Sequence, residues 1–171
     1  MQTSSEISKA IQLRKASSDD AALIFELAKQ IWNDHYIHII TQEQIDYILE
    51  WMYSAKSLTE QMNEKGHNFY LIQNNLGKYI GFIAVSGSDG AYFLHKFYIL
   101  TANQAKGVGT EVFTQILAIL NNPHTMRLTV NRKNFKSINF YFKNGFVIEK
   151  VEDFEIGNGW LMEDFVMIYK K

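Results

Sequence analysis

The segment NQAKGVGTEVFTQIL, Asn103 to Leu117, sets Gly107 and Gly109 one residue apart, just after a glutamine and a lysine and just before a helix-like apolar rhythm. Glycines there permit positive φ and let backbone N–H groups approach a ligand oxygen with no Cβ in the way. A helix beginning near Thr110 adds about half a positive charge at its first turn. The chemistry on offer is anion binding, and a pyrophosphate fits such a cradle. A Walker loop would need Gly, four residues and then Gly-Lys-Ser/Thr, a spacing absent here. A dinucleotide fingerprint would need a third glycine where Val112 stands, and an acid near the end of the next strand, which RLTVN lacks.

Two further groupings carry chemistry. NRKNFKSINFYFKNGF gathers Asn134, Ser137, Phe140, Tyr141, Lys143 and Gly145 in one stretch, beginning about 25 residues after the glycines. WNDHY sets Trp32, Asp34, His35 and Tyr36 side by side, and with Tyr70 they are candidates for lining a pocket. Aromatic rings with nearby acids suit an alkylammonium chain through cation–π contact and charge pairing. Trp51, a further aromatic, is expected in the core. His35 and His38 lie three apart, but no third ligand is evident and no metal is expected. The absence of cysteine excludes a disulfide framework, a thiolate nucleophile and a thiolate zinc site.

The elements that must position these groups alternate along the chain. IQLRKA reads as a short strand and SSDDAALIFELAKQIWNDHY as a helix with Leu23, Leu27 and Ile31 on its apolar face. Thr41/Gln44 and Ser57/Glu60 are capping boxes that begin two further helical segments. NFYLIQ, YIGFIAVSG and AYFLHKFYIL, joined by Asn/Gly turns, predict an antiparallel meander. After the glycine loop come a helix to about Leu120, a break at the single proline Pro123, the strand MRLTV, a helix ending on Gly145, and two strands joined at GNGW. The expected fold is α/β (α+β): one domain over residues 1–171, with a mixed central sheet of about six to seven strands and helices on both faces.

Composition bounds the setting. The chain has 171 residues, 47% hydrophobic and 20% charged, as in an ordinary globular domain. A net charge of −1 argues against a dedicated nucleic-acid binder. MQTSSEISKA lacks a basic region followed by an apolar core, and no apolar run approaches the roughly 20 residues that span a bilayer, so a cytoplasmic location without membrane association is expected. Charge is nevertheless uneven. Asp19 to Glu64 holds nine acids against Lys29 and Lys56, whereas Phe93 to Lys150 holds eight bases against Glu111 and Glu149. An anionic ligand in the second half and a cationic one in the first would match that asymmetry.

Together, FYILTANQAKGVGTEVF and NRKNFKSINFYFKNGF resemble the GNAT superfamily of N-acetyltransferases. That superfamily builds its acetyl-CoA site on Q/R-x-x-G-x-G/A and a later N-x-x-A/S-x-x-F-Y-x-K-x-G-F. The resemblance covers Tyr79 to Phe146 well, and the helical segment from Trp32 to Glu64 is more loosely similar to bacterial spermidine and spermine N-acetyltransferases. It implies that Phe97, Tyr98 and Ile99 lie on the strand whose backbone holds the pantetheine arm. It further implies that Gln104, Ala105, Lys106, Gly107, Val108, Gly109 and Thr110 wrap the pyrophosphate. Asn134 would hold the pantetheine or cap the next helix, and Lys143 would lie near the nucleotide phosphates.

The resemblance also assigns the chemistry. Tyr141 would act as the general acid that protonates the departing CoA thiolate, and direct attack by an amine needs no acyl-enzyme. Family members commonly place a Glu or a His on the strand before the glycine loop as general base. Here that residue is His95, expected to share a face with Phe93 and Phe97 by strand alternation. The sequence departs from the family in having no carboxylate on that strand and in having Thr101 where proline is frequent. The function implied is acetyl transfer from acetyl-CoA to a primary amine of a small molecule, a polyamine among them. A protein or peptide acetyltransferase and a non-catalytic acetyl-CoA sensor are the alternatives. The acceptor's identity and the assembly state, a homodimer among the candidates, stay open.

Overall fold

The computed structural model describes residues 11–171; residues 1–10, whose composition carries the leader argument above, lie outside it. The chain runs β1 Ile11–Lys15, α1 Ala21–His35, α2 Gln42–Tyr53, α3 Ala55–Asn63, β2 Asn68–Asn74, β3 Tyr79–Ser88, β4 Ala91–Ile99, α4 Val108–Ile119, β5 Thr125–Asn131, α5 Phe135–Lys143, β6 Phe146–Gly157 and β7 Trp160–Lys170. Seven strands form one sheet in the order β1-β2-β3-β4-β5-β7-β6. The β4–β5 pair is parallel and every other pair antiparallel. The mixed sheet of the sequence reading is therefore present, with a parallel step where the chain crosses over through α4.

Both faces are covered. One core packs α4 and α5 residues such as Val112, Phe113, Ile116 and Ile138 on Ile83, Val85, Leu94, Leu128 and Met167. The other packs α1, α2 and α3 on Phe69, Leu71, Phe82 and Ala84. Local chemistry sets the connections. Asp89-Gly90 and Asn158-Gly159 both take positive φ, the mirror-image turn that matches the right-handed twist of the strands they join.

The helix starts differ from the sequence reading. Ser17 and Asp20 cap a single 3-10 turn before α1 begins at Ala21. Thr41 Oγ1 accepts from the Gln44 N–H at 3.3 Å, but the Gln44 side chain does not return to the cap. Its Nε2 donates instead to the Leu161 carbonyl at 3.0 Å, tying α2 to β7. The expected Ser57/Glu60 box is replaced by Ser54, whose Oγ accepts from the Ser57 N–H at 3.2 Å. No helix among the described residues is long and apolar enough to cross a membrane.

The feature that matters most for function is where the parallel ladder stops. β4 and β5 pair only from Ala91–Leu94 against Thr125–Leu128. Beyond that point β4 runs on to Ile99 and β5 to Asn131 without pairing, so the sheet opens between them and leaves backbone donors and acceptors free.

Candidate active site

A cavity of about 320 Å³ occupies that opening. Its lining comes from both faces of the sheet. From the α4–α5 side come Phe97, Ile99, Phe140, Tyr141 and the start of α4, and from the α1–α2 side come Trp32, Tyr36, Lys96, Tyr98 and Asp164. The cavity thus joins an anion cradle on one face to an aromatic box on the other.

The cradle is built by two glycines with different tasks. Gly107 precedes α4 with φ +89°, a left-handed conformation that a side chain resists, and an added Cβ there would meet open space. Gly107 offers no side-chain cap, so N–H groups of the first turn of α4 have no intrahelical acceptor and remain for a ligand. Gly109 is required by packing: an added Cβ would stand 2.9 Å from Phe140 Cε2. Phe140 in turn abuts Phe97, with ring centroids 5.5 Å apart. Gln104 braces the loop, donating from Nε2 to the Ile99 carbonyl at 2.7 Å while its Oε1 accepts from Lys136.

Asn134 joins the helices on either side. It caps α5 by accepting from the Ser137 N–H at 3.3 Å. The same Oδ1 lies 3.1 Å from His35 Nε2, and its Nδ2 donates to the Tyr36 hydroxyl at 3.3 Å. The helix-cap and cavity-wall readings therefore coincide in one buried residue. Tyr36 stacks on Trp32 at 4.0 Å, and Tyr98 completes the box at 5.9 Å from Trp32.

Tyr141 is buried, with its ring edge-on to Phe140 and Phe146 at 5.4 Å each. Burial first, and then the neighbouring Tyr36, raises its pKa well above the ordinary tyrosine value, so the phenol keeps its proton. Burial likewise pushes Tyr36 up to about 12, against hydrogen bonds from Tyr98 and Asn134 that oppose it.

His95 departs from the expectation. The β3–β4 register passes from Ala84↔Lys96 to Val85↔Leu94, so His95 is the extra residue of a β-bulge. Alternation resets there: Phe97 packs with Ile83 in the α4–α5 core, while His95 reaches Ser86 Oγ at 2.7 Å and stacks on His67 at 3.8 Å. It lines the cavity and lies against Phe93, as expected, but does not share the face of Phe97. Burial first, then His67 and Lys96, lowers its pKa to about 3, which leaves a neutral and weakly basic imidazole.

Of the other expected residues, Ala105, Thr110 and His35 line the cavity. Lys106, Val108, Lys143, Asp34 and Tyr70 do not. Lys106 and Asp34 are exposed, and Val108 packs on the core. Tyr70 joins the α4–α5 core, away from the N-terminal helices, because β2 turns that side chain to the other face. Lys143 is exposed at the far end of α5, about 10 Å along the helix from Lys136, which is the α5 lysine that reaches the cavity. Trp51 is not a core residue: it is 47% exposed and stacks on Tyr47. Among the described residues no cluster of three or more His, Cys, Asp or Glu could hold a metal.

Besides Lys136, two buried charged residues escaped the sequence reading. Lys96, 3% exposed, sits over the rings of Tyr53 and Phe69 at 5.5 and 5.6 Å, and burial, then Lys65, lowers it to about 8. Asp164, 4% exposed, is raised to about 6 by burial, against a Thr129 hydrogen bond and the charge of Arg132. A charged residue inside a strand that reads as half-solvated gives no hint of burial, and only the splay of β4 from β5 brings these two to a cavity.

Comparison with known proteins agrees with this geometry. Residues 36–162 match the family model described as acetyltransferase (GNAT) domain. A spermidine N(1)-acetyltransferase of Thermoplasma acidophilum is 28% identical over 161 residues, covering 90% of this chain and 96% of the relative. The crystal structure of the PaiA N-acetyltransferase from the same organism, in complex with coenzyme A, superposes with a TM-score of 0.77 at 26% identity, covering 95% of this chain and all of the other. A GCN5-related N-acetyltransferase from Rhodopseudomonas palustris shares the fold, with a TM-score of 0.77 at 14% identity over 98% of this chain and all of the other.

Proposed function

The chain belongs to the GNAT acetyltransferase family and is an acyltransferase, and from that premise we propose that it moves an acetyl group from acetyl-CoA directly to a primary amine of a small cation, in the class of the polyamines. The observation that carries this reading is the cavity that passes through the opened sheet, with the anion cradle on one face and the aromatic box on the other.

The residues present fit acetyl-CoA. The first turn of α4 and Lys136 would take its phosphates, and the unpaired edges of β4 and β5 would pair with its pantetheine amides. The cosubstrate supplies an activated acetyl thioester. The protein's part is to hold the amine at that carbonyl and to keep water out. Tyr141, whose phenol burial keeps protonated at rest, is the donor to the sulfur as the carbon–sulfur bond breaks.

The acceptor class follows from charge and shape. Trp32, Tyr36 and Tyr98 line the cavity with aromatic surface of the kind that receives an alkylammonium. The stretch from Asp19 to Glu64, with nine acids against two lysines, draws cations toward that side. The Thermoplasma relative, named as a spermidine N(1)-acetyltransferase, supports the same class.

The test is a panel of spermidine, spermine, monoamines, aminoglycosides and peptides, each assayed by CoA release. Polyamines are expected to turn over with the highest kcat/KM, and that value is expected to fall with ionic strength. Turnover of a peptide N-terminus or an uncharged amine with no turnover of any polyamine would overturn the acceptor assignment.

A further inference from the structure

We propose that Asp164 receives the acceptor's ammonium in the cavity and takes its proton; this rests on the amine-acceptor reading above. Asp164 stands on β7 opposite Asn131 of β5, where the strand edge opens onto the cavity. It is 4% exposed, and its Oδ1 has no hydrogen-bond partner among the described residues. A buried carboxylate oxygen left unpartnered is costly unless something brings a donor to it.

The neighbouring side chains do not fill that role. From β5, the Thr129 hydroxyl lowers the Asp164 pKa without giving Oδ1 a partner. Arg132, just beyond β5, touches only the Asp164 backbone carbonyl, at 3.5 Å. Its guanidinium is engaged by Asp153 of β6 at 2.7 Å and by Glu163 at 3.4 Å. Just beyond α1, the Tyr36 hydroxyl accepts from Asn134 Nδ2 and makes no hydrogen bond to Asp164 Oδ1. Lys96 of β4 lines the cavity from above Tyr53 and Phe69, and Tyr141 lines it from α5. The missing partner is thus a donor from outside the chain. The rings of Tyr36 and Trp32 beside the site make a primary alkylammonium the matching class.

The chemistry balances. An ammonium N–H transfers its proton to Oδ1, and the freed lone pair forms the carbon–nitrogen bond at the thioester carbonyl. The carbon–sulfur bond breaks and the sulfur takes a proton from Tyr141. The nitrogen loses two protons in all: one passes through Asp164 to solvent, and the other, released once the carbon–nitrogen bond has formed, returns to Tyr141 in place of the proton given to sulfur. Burial holds Asp164 near 6, close to the pH at which a base of this kind works best.

The experiment is Asp164→Asn, with Asp164→Glu beside it, assayed for kcat/KM with spermidine across about pH 5 to 9. Wild type is expected to lose activity below an ionisation near 6. Asp164→Asn is expected to lose about 10²- to 10⁴-fold in kcat/KM and to lose that limb, while Asp164→Glu keeps it at a reduced rate. CoA affinity by calorimetry is expected to be unchanged. Because native burial disfavours the charge, stability from this group falls as pH rises from 3.8 through about 6, so at pH 7 the Asn variant is expected to melt no lower than wild type. A purely structural role predicts the opposite thermal result.

Activity of Asp164→Asn within threefold of wild type, with its limb intact, overturns the inference and leaves the acetyltransferase reading standing. If the Asn variant does not fold, the wild-type profile decides: no ionisation between pH 5 and 7 overturns it. No turnover of any amine by wild type overturns both readings.

Discussion

Replacing Lys96 by methionine turns a buried charge into a measurable pH dependence. The ammonium is 3% exposed and is held to about 8 by burial, against its ordinary 10.5. Between those values the unfolded chain binds the proton and the folded one does not, so the stability of the wild type rises with pH across that window. Below pH 8 both states are protonated and the folded state carries the full cost of the buried charge. At about pH 7.5 that cost is on the order of 3 kcal/mol, and at about pH 10 it has fallen below 1 kcal/mol. The rings of Tyr53 and Phe69 offset part of it through cation–π contact, roughly 0.5–2 kcal/mol. Lys96→Met is therefore expected to be more stable than wild type near pH 7.5, by an amount that shrinks by about 2 kcal/mol on going to pH 10. Urea unfolding of both proteins at several pH values measures this. Buried tyrosines such as Tyr53 and Tyr98 also titrate at the upper end, but they are common to both chains and cancel in the difference. Parallel stability curves, or a methionine variant less stable at pH 7.5, would refute the reasoning.

Three other outcomes follow from the site. Tyr141→Phe keeps the buried ring and loses the proton donor, so kcat is expected to fall about 10²- to 10⁴-fold with CoA affinity unchanged by calorimetry; full turnover would return Tyr141 to a packing role. Gly109→Val drives a branched side chain against Phe140, whose ring Cε2 lies 2.9 Å from the position of an added Cβ, and CoA affinity is expected to fall at least tenfold, roughly 1.4 kcal/mol. Unchanged affinity in a folded Gly109→Val protein would separate the Phe140 contact from the cradle. His95→Ala is expected to leave the acidic limb of the pH–rate profile in place, because an imidazole held near 3 is already neutral throughout; a limb that moves would restore His95 as the base.

Much of the architecture was legible because it depends on local signals. Period-two alternation and Asn/Gly turns mark the meander and the last hairpin, and the two motifs with Gly107, Gly109, Asn134 and Tyr141 mark where the cavity must lie. What escaped depends on relations between strands. Nothing in FLHKFYIL shows that His95 is an extra residue, since a bulge is defined by its partner strand. Asp164 in LMEDFVM looks like a solvated edge residue, and it becomes buried only because β7 pairs with β5 beside the opening. Lys96, between two residues of the expected pantetheine strand, was hidden by the same opening. Tyr70 and Trp51 fail for a simpler reason: an aromatic residue type does not say which face of a strand or helix it occupies.

The most direct test of the central claim is a rapid-quench single turnover with acetyl-labelled acetyl-CoA, in the presence and absence of spermidine. Direct transfer predicts label on the polyamine nitrogen at the same rate as CoA appears, with no labelled protein when the acceptor is omitted. Label trapped on the chain without acceptor, or released as acetate with spermidine left unmodified, would contradict it.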